Sequence, residues 1–231
     1  MRILHNPFRL LSRFEWALWL GSLLLVSASY WITPEQDWLN FIASLIGVTS
    51  LVFIAKGHLF GSILSIVFST FYAIISVRFH YYGEMITYAL MVLPISVISL
   101  VAWIKHPYKD TEEVEVGGIA KKHLYLMPIL TVLVTGGLFF VLRWLGNANL
   151  MVSTISIATS FIASYLSVLR SPYYALAYVA NDIVLIVLWI LAGLEEPSYA
   201  PMVLCFLAFL ANDLYAFINW RRMERRQQNK Q

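Results

Sequence analysis

The sequence predicts an all-α integral membrane protein with eight transmembrane helices, arranged as two parallel three-helix repeats, a linker helix and a peripheral N-terminal helix. Three observations carry this expectation. Of 231 residues, 60% are hydrophobic and only 13% are charged, whereas a soluble domain carries about 25% charged residues. Apolar runs of roughly 20 residues, each enough to cross about 30 Å of hydrocarbon as a helix, recur along the whole chain. The Lys and Arg residues gather at the ends of those runs. Lipid offers backbone groups no partner, so only helices and closed barrels cross it, and continuous runs without alternation select helices.

The runs occupy residues 14–33, 38–56, 58–77, 83–104, 124–145, 150–170, 172–193 and 199–220. Pro34 and Asp37 close the first, Lys56-Gly57-His58 divides the second from the third, and Glu195-Glu196-Pro197 precedes the last; such clusters punctuate helices. Pro172 suits a first helical turn, where its missing N–H costs nothing. Pro94 and Pro128 fall inside runs, and neighbouring helices there re-satisfy the freed carbonyl. Arg2, Arg9 and Arg13 followed by Val26-Ser27-Ala28 have the pattern of a cleavable leader, but the length of the apolar stretch favours an uncleaved span.

Orientation follows from the basic residues. With the N-terminus in the cytoplasm, every one of the 16 Lys and Arg residues except Arg78 and Arg143 lies inside, as positive-inside topology requires. An even number of spans then returns the basic C-terminus to the same side. The expected location is a bacterial inner (plasma) membrane, multi-pass, with both termini cytoplasmic. The net charge of +3 reflects these topology determinants and gives no sign of a nucleic-acid partner. Cys205 is the single cysteine, so no intrachain disulfide forms.

An offset of 117 residues superposes helices two to four on helices six to eight. Met85 then meets Met202, Leu90 meets Leu207, Leu93 meets Leu210 and Trp103 meets Trp220; Tyr82 meets Tyr199, and Ile66 and Val67 meet Ile183 and Val184. Units of three helices joined by one extra helix enter the membrane in the same direction, an arrangement of transporters that bind solute between halves. The expected divisions are 1–37 (peripheral helix), 38–104 (first repeat), 105–149 (cytoplasmic loop and linker helix), 150–220 (second repeat) and 221–231 (basic cytoplasmic tail). The loop at 105–123, with Asp110, Glu112, Glu113 and Glu115, reads as a solvated linker, a docking segment being the alternative.

The candidate site lies in the second repeat. Asn181-Asp182 and Asn212-Asp213 fall inside apolar runs, and an Asp at the centre of a membrane helix costs about 2.5–3.5 kcal/mol on insertion scales. Asp182 follows Pro172 by about 15 Å of helix, near mid-membrane. Under the 117 offset Ser65 and Ser96 stand opposite Asp182 and Asp213. Tyr178, Asp182 and Trp189 share one helix face; Asn212 and Tyr215 share another. Carboxylate beside aromatic ring suits a flat cationic heterocycle, while structural pairing between helices explains the same residues without a ligand. Tyr72, Tyr88 and Ser96, with Ser99, Ser65 and Ser69, complete the cavity from the first repeat. Trp38, Trp103, Trp144 and Trp220, near run ends, read as interface anchors. No GxxxxGK[ST] cradle and no HExxH or cysteine-rich metal pattern is present, and no nucleophile with a base assembles. A carrier of a small polar solute, without cofactor, metal or catalytic residues, is the reading this leaves; proton coupling through Asp182 remains open.

The stretch from Tyr174 to Met223, with its Ala180-Asn181-Asp182-Ile183-Val184 and Asn212-Asp213-Leu214-Tyr215-Ala216-Phe217-Ile218-Asn219-Trp220 segments, resembles the PnuC family of vitamin transporters. So does Tyr82-Gly83-Glu84-Met85 followed by Trp103. The resemblance implies facilitated uptake of nicotinamide riboside, a SWEET-like pair of three-helix bundles, a homotrimer, and trapping of the product by a cytosolic kinase. Ser96 stands where many members carry Gln or Asn, which leaves thiamine or another nucleoside-like vitamin as the alternative solute.

Overall fold

The structure is a computed structural model that describes residues 6–32, 38–78, 85–109, 111–147, 149–195 and 200–229. Tyr82 to Glu84 and Glu196 to Tyr199, used in the repeat and family comparisons above, lie outside the described residues. Among the described residues a 3-10 turn (Pro7–Leu10) precedes eight longer helices: α1 (Arg13–Ile32), α2 (Trp38–Ala55), α3 (Leu59–Arg78), α4 (a π turn, Thr87–Val92, continuing as Leu93–Lys105), α5 (Lys121–Trp144), α6 (Leu150–Val168), α7 (Tyr173–Glu195) and α8 (Ala200–Gln228). The helices α4 to α8 are each apolar and long enough to cross a membrane, and α2 and α3 add shorter apolar stretches, Phe41–Ala55 and Leu59–Ile74. Glu15 and the interspersed Ser, Trp and Tyr residues leave α1 more polar. The protein is a multi-pass, all-helical membrane protein.

Local chemistry explains the helix boundaries. At the start of α1, Ser12 N–H donates to Glu15 Oε2 at 2.6 Å and Glu15 N–H donates to Ser12 Oγ at 3.3 Å, a reciprocal capping box. The π turn of α4 runs directly into Pro94, with Leu93 N–H reaching back to the Tyr88 carbonyl. Widening the turn accommodates a residue that cannot donate to the carbonyl one turn behind it. Pro128 sits inside α5. The helix α8 does not end near Trp220: Arg221 to Gln228 prolong it, so most of the expected basic tail is helix. Its Arg, Glu, Met and Gln residues are good helix formers, and Gln227, 4% exposed, is buried at its end.

The packing groups α2, α3 and α4 on one side and α6, α7 and α8 on the other, with the two sets meeting along α2–α8 and α4–α6. Two turns, after α2 and α6, are built alike, and the turn at Gly146 after α5 has the same form, with Gly146 N–H on the Arg143 carbonyl and Asn147 N–H on that of Leu142. Gly57 after α2 and Arg170 after α6 both adopt positive φ, 67° and 58°. In the first, Gly57 N–H bonds to the Ile54 carbonyl and His58 N–H to Phe53; in the second, Arg170 N–H bonds to Ser167 and Ser171 N–H to Leu166. These pairs are 113 residues apart, four fewer than the offset relating Trp103 to Trp220. At that register Ser69, one helical turn beyond Ser65, stands opposite Asp182. The helix α5 packs chiefly on α6, and Tyr125, Val132, Leu133, Phe140 and Trp144 along it are exposed, as lipid-facing residues are.

The first helix is not peripheral. It lies against α8 and α2, and its Glu15 is 1% exposed. Lys56 Nζ, at the end of α2, lies 3.2 Å from Glu15 Oε2, and Tyr215 of α8 donates to Glu15 Oε1 at 2.6 Å. Trp19 Nε1 donates to Thr49 Oγ1. The reason is polar satisfaction: the amide and phenol of α8 that sequence patterning directs to a cavity find their partners on α1 instead.

The segment between α4 and α5 is likewise not a free linker. Val114 is 2% exposed, and Val116 N–H donates to Gln227 Oε1 at 2.8 Å. Glu112 lies 3.3 Å from His58 Nε2, Glu115 lies 3.6 Å from Arg170, and Glu113 pairs with Arg226. Three of the acids that suggested solvation, Glu112, Glu113 and Glu115, are groups that tie the segment down; Asp110 lies outside the described residues.

Two outcomes are expected in thermal unfolding of the detergent-solubilised protein. A Cβ at Gly61 would lie 2.4 Å from the Ile54 backbone nitrogen, so Gly61→Ala lowers the midpoint by the equivalent of about 1–3 kcal/mol. Glu15→Leu strands Lys56 and Tyr215 and costs about 2 kcal/mol, of which adding Lys56→Met restores a part.

Candidate functional site

A cavity of ≈ 40 Å³ opens between the two helix groups. Its wall is formed by Ser62 and Ser65 of α3, Ser96, Ser99 and Trp103 of α4, Ser164 and Ser167 of α6, and Tyr174 and Tyr178 of α7, with Ile54 and Ile95. None of these carries a charge. Ser99 and Ser167 hydroxyls meet across the α4–α6 crossing at 2.9 Å, and the Ser164 hydroxyl lies 3.1 Å from the Tyr178 phenol. Small side chains let the helices approach, and their hydroxyls turn the wall polar without charging it.

One end of the cavity is closed by aromatic rings. Trp103 and Trp220 are 1% and 0% exposed, with centroids 5.3 Å apart, and Tyr174 packs edge-on to Trp220 at 5.0 Å. Each indole donates across to the opposite group: Trp103 Nε1 to the Ser167 carbonyl at 3.1 Å, Trp220 Nε1 to the Ile54 carbonyl at 2.9 Å. The acceptors end α6 and α2; each already takes the N–H of its own turn, Arg170 on Ser167 and Gly57 on Ile54, and the indole occupies the carbonyl's second lone pair. Trp38 (62% exposed) and Trp144 (85%) do face outward, but Trp103 and Trp220 are not interface anchors. A position near a helix end in sequence is central here because the ends of α4 and α8 converge.

The acids and amides of α7 and α8 have separate surroundings. Asp182 and Asp213, each 3% exposed, interact as a side-chain pair; a bond between two carboxyls uses one proton. No amide, amine or hydroxyl donates to Asp182 Oδ2, and neither acid has an ion-pair partner among the described residues. Tyr174 and Tyr178, which line the cavity, lie within electrostatic reach of this pair, and neither acid is itself part of the wall.

Asn181 packs toward α6, with the hydroxyls of Ser156, Thr159 and Ser160 at 3.2, 2.8 and 3.0 Å from its Oδ1. Ser156 and Ser160 also line a second cavity of ≈ 20 Å³ together with Tyr88, Thr87 and Asn147. Tyr72 lies against Tyr88 with centroids 4.3 Å apart. Trp189 stacks on Phe206 at 6.4 Å. Asn212, 0% exposed, donates through Nδ2 to Ser22 Oγ at 2.8 Å and to the Ala208 carbonyl at 2.7 Å. Asn212 and Tyr215 thus hold α1 to α8 and do not reach the cavity.

Of the sequence-derived candidates, Ser96 and Tyr178 line the main cavity, as do the lower-ranked Ser65 and Ser99. Ser164, Ser167 and Tyr174 were missed. Their signal was present: Ser153, Ser156, Ser160, Ser164 and Ser167 recur at three- and four-residue steps, one continuous face of α6. Among the described residues no cluster of His, Cys, Asp and Glu is arranged to hold a metal.

Comparison with known proteins agrees with this architecture. The chain is 26% identical over 220 residues to the nicotinamide riboside transporter PnuC of Neisseria mucosa, covering 93% of this chain and 83% of the relative. It is 24% identical over 214 residues to the protein of the same name from Haemophilus influenzae, covering 90% of each. The crystal structure of the vitamin B3 transporter PnuC superposes with a TM-score of 0.79 at 25% identity, over 94% of both chains. Residues 37–222 match the family described as nicotinamide mononucleotide transporter. A match over that extent settles kinship: the chain belongs to this transporter family.

Proposed function

We propose that the chain carries nicotinamide riboside across a bacterial inner membrane by facilitated diffusion, with both termini in the cytoplasm and eight helices in the bilayer. The carrying observation is the hydroxyl-lined cavity between the two helix groups, backed by the Asp182–Asp213 pair and lined by Tyr174, Tyr178 and Trp103. Ribose hydroxyls suit serine partners, the pyridinium ring suits aromatic faces, and its fixed charge suits acids that have no Lys or Arg beside them. The crossed indoles and the packing of α2–α4 and α6–α8 into two groups support a SWEET-like reading of them as parallel repeats, with α5 as linker. Homotrimeric assembly and trapping of the product by a cytosolic kinase belong to the same proposal.

The family description speaks of a mononucleotide and the relatives' names of the riboside. The absence of any Lys or Arg from the cavity wall supports the riboside, because a phosphate dianion taken from water into this site would meet no counter-charge. Isothermal titration of the purified protein is expected to give binding of nicotinamide riboside and none of the mononucleotide or thiamine. Tight thiamine binding with no riboside signal would overturn the choice of solute.

The site assignment separates two variants. Asp182→Asn is expected to weaken riboside binding by about tenfold while the protein stays folded, because it breaks up the carboxyl pair that faces the cation. Asn212→Ala is expected to leave the dissociation constant within about twofold and to lower the unfolding midpoint by the equivalent of about 1–2 kcal/mol, since it frees Ser22. Equal loss of binding in both variants would mean that α1 and the cavity are one unit.

A further inference from the structure

The segment between α4 and α5 makes the same contact twice. Val114 N–H donates to the Gly57 carbonyl at 2.9 Å, and Gly117 N–H donates to the Arg170 carbonyl at 3.0 Å. Gly57 and Arg170 hold the equivalent positive-φ positions of the two matching turns, one in each helix group. The segment therefore spans the seam between the groups and grips the same point on either side. The end of α8 fastens it from a third direction: Gln227 accepts from Val116 N–H and donates through Nε2 to the Val114 carbonyl at 3.1 Å.

Its apolar side faces inward. Val114 belongs to one buried cluster with Trp103, Trp220, Tyr174 and Met223, and Val116 and Ile119 pack against that cluster. The rings that close the cavity thus rest on the strap. Fit at the Gly57 turn is tight, for a Cβ there would come within 2.7 Å of Met223 Cε and 3.3 Å of Val114 Cγ1. At the other turn a Cβ on Gly117 would lie 2.2 Å from the Leu169 carbonyl oxygen.

A space of ≈ 40 Å³ holds a few water molecules at most, far less than a nucleoside. Solute can occupy it only when the two groups move apart, and at this end they are stapled together. We propose that residues 113–117 form a latch on this face of the protein, and that solute leaves or enters through this face only after the strap releases the Gly57 turn or the Arg170 turn. This inference rests on the carrier reading above. Two of the bonds that hold it to the helix groups are main chain to main chain and the others are hydrogen bonds and ion pairs from Gln227, Arg170 and Arg226, so release needs no chemistry. It needs only the separation of those contacts and the lifting of Val114 from under the tryptophan pair.

The test reads access to the cavity directly. In a Cys205→Ala background, Ser96→Cys places one thiol in the cavity wall, and a membrane-impermeant methanethiosulfonate is applied to proteoliposomes from either face. Gly117→Ala, which pushes the strap off the Leu169 carbonyl, and Gln227→Ala, which removes the α8 fastening without a clash, are each expected to speed labelling from the strap face by about tenfold. Labelling from the opposite face is expected to stay unchanged. No acceleration in Gln227→Ala, or equal acceleration from both faces, would overturn the latch; the second result would mean general loosening. Gln227→Ala decides the matter should Gly117→Ala not fold. Because labelling uses no solute, failure of riboside uptake by the parent protein would strike the carrier reading and leave this result standing.

Discussion

Each helix group finishes a helix of the other. The carbonyls of Ile54 and Ser167, at the ends of α2 and α6, receive an indole N–H from Trp220 and Trp103 of the opposite group. Each carbonyl already holds the N–H of its own turn, from Gly57 or Arg170, and in a medium that supplies no donors the indole is the group that meets its remaining lone pair. This crossed arrangement fixes the convergence of α4 and α8, buries the two rings against each other, and sets the floor of the cavity. The serine wall, the tyrosines of α7 and the strap beneath all take their places relative to that floor.

A second constraint is that every polar group carried into the membrane must be answered within it. The protein answers Asn181 with the hydroxyls of α6 and Asn212 with Ser22, and answers Tyr215 with Glu15. These three are spent on packing between helices. The Asp182–Asp213 pair is different, because among the described residues it has no ion-pair partner, and the tyrosines in its reach, Tyr174 and Tyr178, line the void. Polarity inside a membrane thus has two destinations here, and the partner list distinguishes them where the residue type does not.

Much of the fold was legible in the sequence because hydrophobic length is a one-dimensional property. The eight helices fall close to the apolar runs, and the turn at Lys56-Gly57-His58 was marked by composition. The destination of a polar face was not legible, since helical periodicity says which residues share a side and not which neighbour that side meets. Asn212 and Tyr215 shared a face as expected, and that face met α1. The tryptophans illustrate the same gap: Trp38 and Trp144 lie outward and Trp103 and Trp220 lie at the centre, although all four sit near run ends. Trp103 and Trp220, paired by the 117 offset, do meet in space, while the similar turns at Gly57 and Arg170 lie 113 apart. The serine face of α6 was readable and passed over because single serines in membrane helices carry little weight.

The acids of the strap pair with His58, Arg170 and Arg226 in partly solvated positions, whereas its main-chain bonds lie beneath them. Dissolved ions screen the first kind of attraction over about 8 Å at physiological concentration and barely touch the second. The grip of this segment therefore has a part set by the electrolyte of the compartment it faces and a part that is not, and a change in ionic strength adjusts its hold without altering where it sits.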